Sequence, residues 1–111
     1  MSEFVMLFRG DGPPGSPDEM QKQMQRWLGW MKELQAQGHF KTGQPLERGG
    51  NVVNRQKTII DGPYAEAKDL VGGFMLIEAK DLAQASELAK GCPVFSTGGF
   101  VEVRPILKLN M

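Results

Sequence analysis

The feature that most limits the fold is an order of signals: a strand-length apolar run followed by a helix start, and then the same pair again. Phe4-Val5-Met6-Leu7-Phe8 is apolar at every position, which reads as a strand covered on both faces, and Gly10-Asp11-Gly12-Pro13-Pro14-Gly15 ends it. Ser16-Pro17-Asp18-Glu19 then supplies a Ser N-cap, a Pro at the first helical position and a Glu three residues past the cap. Met20, Met24, Trp27, Met31 and Leu34 recur at steps of four and three, and Gly38 offers a left-handed terminus, so a helix is predicted over 17–37. The second pair begins with Gly73 to Ala79, GFMLIEA. Asp81 caps a helix with Leu82, Ala85, Leu88 and Ala89 on its apolar stripe, and Gly91 and Pro93 end it. Phe100-Val101-Glu102-Val103-Arg104, running past Pro105 into Ile106-Leu107, is a last strand whose proline favours an edge position.

Residues 39–60 are broken by Gly43, Pro45 and Gly49-Gly50, which predicts an irregular strand or loop. Asn51-Val52-Val53 and Lys57-Thr58-Ile59-Ile60, flanking Asn54-Arg55-Gln56, suggest a short hairpin or a bulged strand. Asp61-Gly62-Pro63 is a turn signal opening a polar loop of about ten residues. The resulting order closes most simply as an α+β, ferredoxin-like βαββαβ sandwich with an antiparallel sheet. Two helices cover one face of such a sheet. Because the first and third strands are apolar on both sides, the other face is expected to meet the same sheet of a second subunit.

A chain of 111 residues has room for one domain, 1–111, and its 41% hydrophobic and 23% charged residues suit a globular core. Thirteen basic residues balance thirteen acidic ones, so no net field draws in nucleic acid or an anionic membrane surface. A single cysteine, Cys92, allows no internal disulfide and suits a reducing, cytoplasmic setting. No apolar run reaches the ~20 residues of a membrane helix, and MSEFVMLFRG lacks the layout of a secretory leader.

His39, the one histidine, is a natural acid or base near neutral pH, and equally a cationic group beside a helix C-terminus. Asp61 can be a carboxylate mounted on a rigid turn, or the first residue of that turn bonding its own backbone. Tyr64, Glu66 and Lys68 alternate along the loop and would point the same way in an extended chain; a solvated Glu and Lys pair is the plainer outcome. Arg104 can clamp a ligand anion, or pair with Glu66 or Asp61 and hold the loop down. Trp27, Trp30 and the first-helix methionines read as core, with Trp30 off the stripe's centre and bordering a pocket or a subunit contact. The glycines match neither phosphate-binding fingerprint, and one His with one Cys makes zinc improbable, so no cofactor or metal is expected.

The block Asp61-Gly62-Pro63-Tyr64-Ala65-Glu66-Ala67-Lys68, followed by Gly72-Gly73-Phe74 and closed by Val101-Glu102-Val103-Arg104-Pro105-Ile106, resembles the DGPF branch of the YCII-related family. The likeness also takes in FVMLFRG, Gly38, Gly43, Pro45-Leu46 and Cys92-Pro93, and Tyr64 stands where the family most often has Phe. The resemblance implies a small bacterial protein with a ferredoxin-like fold that dimerises as dimeric α+β barrel proteins do. It also implies a link to extracytoplasmic-function sigma factors as partners, and an activity that is largely unassigned. A His and Asp pair is proposed for the YCII branch, the His lying in the first helical region, but residues 17–37 hold no His here. Three readings follow. The first is a cofactor-free enzyme on small ring compounds, with Asp61 as acid or base, His39 as a second candidate, and Tyr64, Glu66, Lys68 and Arg104 binding the substrate. The others are a non-catalytic ligand-binding or regulatory module, and an assembly domain.

Overall fold

The computed structural model describes residues 1–10, 15–47, 49–62 and 70–109. Strand β1 spans Ser2–Arg9, and its alternate residues Phe4, Met6 and Phe8 are buried while Val5 and Leu7 are half-buried on the other side. Helix α1, Pro17–Ala36, begins where Ser16 Oγ accepts the Glu19 N–H at 3.2 Å. It ends where Gly38 takes φ +80° and the His39 N–H donates to the Leu34 carbonyl at 2.8 Å. Strands β2 (Phe40–Pro45), β3 (Gly50–Val53), β4 (Ile59–Gly62) and β5 (Val71–Ala79) follow. Helix α2, Leu82–Ala89, starts at Asp81, whose Oδ1 accepts the Gln84 N–H at 2.8 Å. A 3₁₀ turn over Pro93–Thr97, closed by Gly98 at φ +84°, leads into β6, Phe100–Pro105.

The main sheet runs β2-β5-β1-β6 with every neighbouring pair antiparallel. Strands β1 and β2 therefore point the same way with β5 between them, which is the split βαβ of a ferredoxin-like α+β fold. Strand β6 is an edge, as its terminal Pro105 requires. On the inner face Phe4, Met6, Phe8, Met75, Ile77 and Ala79 meet Trp30, Leu34, Ala85, Ala89 and Val94 in one buried cluster. On the outer face Val5, Leu7, Phe74 and Leu76 form a half-buried apolar strip, and the shortest dimension of the molecule is 18 Å, two layers only.

Two local readings change in three dimensions. Met20 and Met24 are more than half exposed, and the line facing the body runs instead through Gln23, Trp27, Trp30 and Leu34. The periodicity of α1 does not register its tertiary partners: Trp27 and Trp30 pack on Phe8 and the core, and Gln23 Nε2 on the same face donates to the Pro93 carbonyl at 2.8 Å. Asp61 and Gly62 are strand residues, paired with Asn51 and Gly50, and the turn expected from Pro63 onward lies outside the described residues. The region 39–62 resolves into β2, bulged between Phe40 and Thr42, and a separate β3–β4 hairpin. At its tip Asn54 Oδ1 accepts the Gln56 and Thr58 N–H groups and Lys57 takes φ 64°.

Candidate functional site

Of the residues that the sequence suggests for chemistry, His39, Asp61 and Arg104 are described; Tyr64, Glu66 and Lys68 lie outside the described residues. His39 follows α1 immediately and is buried. Its backbone closes the helix on Leu34, its carbonyl accepts the Glu78 N–H at 2.7 Å, and its ring Nδ1 lies 2.7 Å from the Glu78 carbonyl. A carbonyl only accepts, so Nδ1 carries a proton and donates it to Glu78. His39 thus ties the end of α1 to β5 through two backbone bonds and one ring bond, a structural duty.

Asp61 sits exposed on β4, and Arg104 is exposed on β6 opposite Val5. Strands β2 and β6 are opposite edges of the sheet, about 14 Å apart at ~4.8 Å per strand, so His39 and Arg104 do not meet within one protomer. No ion pair joins Arg104 to Asp61 among the described residues. The polar segment that leaves Gly62 returns at Leu70, whose carbonyl accepts the Gly10 N–H at 3.0 Å. Gly10 lies five residues along β1 from Val5, about 16 Å at ~3.3 Å per residue, so the returning chain arrives far from Arg104.

The cation that does stand there is Arg9. Its guanidinium holds Glu102 Oε1 at 2.9 Å, both side chains about a third exposed. Arg9 is not among the residues that the sequence suggests for chemistry. A signal existed in the spacing, since antiparallel pairing of FVMLFRG with the last strand puts Arg9 and Glu102 on one sheet face, two positions apart along the ladder.

At the other end of the outer face Glu3 and Glu78 are directly opposed across β1 and β5, an unfavourable like-charge pair. Lys41, displaced by the β2 bulge, bridges them at 2.9 and 3.5 Å. The hydrogen bond from Lys41 and then its charge hold the Glu3 carboxyl below its ordinary pKa, and the same bond with Glu3 raises Lys41. Because the folded Glu3 pKa is depressed, its stabilising contribution is present above the ordinary glutamate range and is lost as pH falls through the folded value. The raised Lys41 contributes at neutral pH and loses its effect only at strongly alkaline pH. Lys41→Met is therefore expected to be mildly destabilised near pH 7, with the gap from wild type closing as Glu3 protonates. Thermal unfolding from pH 7 to pH 3 measures this, and a pH-independent gap would mean that Lys41 acts through packing alone.

An open groove of about 540 Å³ lies elsewhere, between α1 and residues 90–96, floored by Trp30 and flanked by Arg26, Glu33, Lys90 and Phe95. His39, Asp61 and Arg104 do not line it, whereas Trp30, which the sequence places at the border of a pocket or a subunit contact, does. Trp30 is thus both core and groove wall. Cys92 is buried, its Sγ 3.4 Å from the Val94 N–H. Among the described residues no group of three His, Cys, Asp or Glu is placed to hold a metal ion, and no helix is long and apolar enough to cross a membrane.

Among solved structures the fold is similar to 5-chloro-2-hydroxyhydroquinone dehydrochlorinase from Burkholderia phenoliruptrix, determined in complex with 2,5-dihydroxybenzoquinone. The TM-score is 0.54 at 21% identity, covering 97% of this chain and 95% of that one. No curated protein matches the sequence. The model of the YCII-related domain matches residues 4–110, a span that takes in all of the sandwich but the first two residues of β1, and the chain therefore belongs to the YCII-related domain family.

Proposed function

We propose that the protein works as a homodimer joined through the outer face of its sheet, and that it binds a small anionic ring compound where the segment after Asp61 returns to the Arg9 end of β1. The observation that carries this reading is the outer strip Val5, Leu7, Phe74 and Leu76. Four large apolar side chains sit side by side on a face that no helix covers, with the Arg9–Glu102 pair at its rim. A second copy of the same strip is the self-complementary cover that two-fold symmetry allows. The dehydrochlorinase fold and its bound dihydroxybenzoquinone support an anionic ring as the ligand class by analogy. In this reading Arg9 holds the anion, and Asp61, an exposed carboxylate at the start of the polar segment, is the group available to move a proton.

A second reading, binding without turnover, is favoured by the occupation of His39 in structural bonds and by its separation from Arg104. Among the described residues it leaves no acid–base pair assembled within one protomer. Sedimentation at micromolar concentration and calorimetric titration with 2,5-dihydroxybenzoquinone test the proposal together. A wild-type dimer that becomes monomeric in Leu76→Arg, and saturable binding that Arg9→Met weakens at least tenfold, are the expected results. A monomeric wild type would reject the dimer, and binding unchanged in Arg9→Met would reject the site. If binding survives in Asp61→Asn and the wild type never converts a chlorinated hydroxyhydroquinone, the non-catalytic reading stands.

A further inference from the structure

We infer that the β3–β4 hairpin is an arm that grips the second copy of the chain, an inference that rests on the dimer proposed above. Val53 and Ile59 face each other across the hairpin and are 63% and 67% exposed, and the neighbouring Val52–Ile60 pair includes Ile60 at 37%. Successive residues of a strand point to opposite faces, so both faces of this ribbon carry β-branched apolar side chains. A two-stranded ribbon of this length is marginal in water without something to pack against. Within its own protomer the hairpin pairs only with itself and packs against no other described element to an appreciable extent. The radius of gyration, 15.4 Å, exceeds the ~13 Å of a compact chain near this length, as an extended appendage requires.

Position points to the second copy as the occupant. The arm grows from the same end of β2 and β5 that flanks the apolar strip: β2 ends at Pro45, β5 begins at Val71, and the hairpin lies between them in the chain. Gly49 at φ +95° and Gly50 at φ +139° provide the bend where the arm leaves the body. Two arms, one from each copy, extend the contact past the sheet edge with the apolar surface that is otherwise left in water.

The test compares three full-length proteins by sedimentation equilibrium: wild type, Val53→Ser with Ile59→Ser, and Leu76→Arg. Near-ultraviolet circular dichroism of Trp27 and Trp30 checks that the body remains folded. The double arm variant is expected to dimerise on the order of 100-fold more weakly than wild type, since two arms each lose two apolar contacts. Wild-type affinity in that variant would overturn the arm while leaving the sheet dimer in place. A monomeric wild type, or a Leu76→Arg protein that still dimerises, would overturn the sheet dimer itself and the arm with it. Amide exchange gives a reading free of arm substitutions: protection over 50–62 should be at least tenfold higher in the wild-type dimer than in monomeric Leu76→Arg, and equal protection would overturn the arm.

Discussion

Replacing Trp30 with alanine is expected to lower the stability of the protein by about 3–5 kcal/mol, a large share of the roughly 5–15 kcal/mol of a domain this size. Trp30 is only 7% exposed and sits at the junction of three elements. Its ring meets Phe8 of β1 edge-on with centroids 6.0 Å apart, and Trp27 at 5.7 Å, while Trp27 meets Phe8 at 4.8 Å. These separations and near-perpendicular planes place positive ring edges against negative ring faces, adding to the apolar area buried. The indole also packs on Gly91, the residue through which the chain leaves α2. Removing it opens a cavity between α1, the sheet and the segment at 91, which rigid backbone on two sides keeps from collapsing. Urea unfolding followed by far-ultraviolet circular dichroism gives the value directly. A loss below about 1 kcal/mol would mean that the groove beside Trp30 already admits water to the site. Trp27→Ala should cost less, because Trp27 is half-buried and solvent replaces part of what it loses.

Gly99→Ala is expected to destabilise by about 2–3 kcal/mol through overpacking. A Cβ at residue 99 would lie 2.5 Å from Val94 Cγ2 and 2.7 Å from the Arg9 carbonyl oxygen. Val94 is fully buried and the Arg9 carbonyl belongs to the backbone of β1, so neither neighbour can yield without moving the 3₁₀ turn or the β1–β6 ladder. Gly29→Ala provides the opposite sign. Residue 29 is exposed in the middle of α1 with nothing within 4 Å of a Cβ, and alanine there should stabilise by up to about 1 kcal/mol. Paired thermal melts of the two variants separate steric crowding from backbone entropy. A neutral Gly99→Ala would show that β6 can slide away from β1, and the edge position of β6 makes that the informative failure.

Much of the architecture was legible in the residues because its determinants are local. The Ser16 and Asp81 caps, the left-handed Gly38 and the alternation in β1 and β5 depend on neighbours within a few positions, and each is found where the chain signals it. The edge placement of β6 followed from Pro105 for the same reason. The face that α1 buries was not legible. Helical periodicity specifies a stripe but not its rotation, and packing against distant segments, Phe8 of β1 and the turn at Pro93, puts Trp30 inside and leaves Met20 and Met24 out.

The candidate site divides along the same line. Sequence spacing can place Asp61 near a polar segment, and by itself it determined the strand and helix order, the ferredoxin-like fold and an apolar second face for the sheet. Which charges meet was decided by strand register alone, a property of pairing between distant segments. Register opposes Arg9 to Phe100 and lets its side chain reach Glu102, sets Arg104 beside Val5, and opposes Glu3 to Glu78 so that the β2 bulge must bring Lys41 between them. The β3–β4 hairpin shows the limit most clearly. Its strands are signalled by β-branched residues, but whether those residues face a core or water depends on where two glycines with positive φ send the ribbon, and only the tertiary structure carries it away from the body.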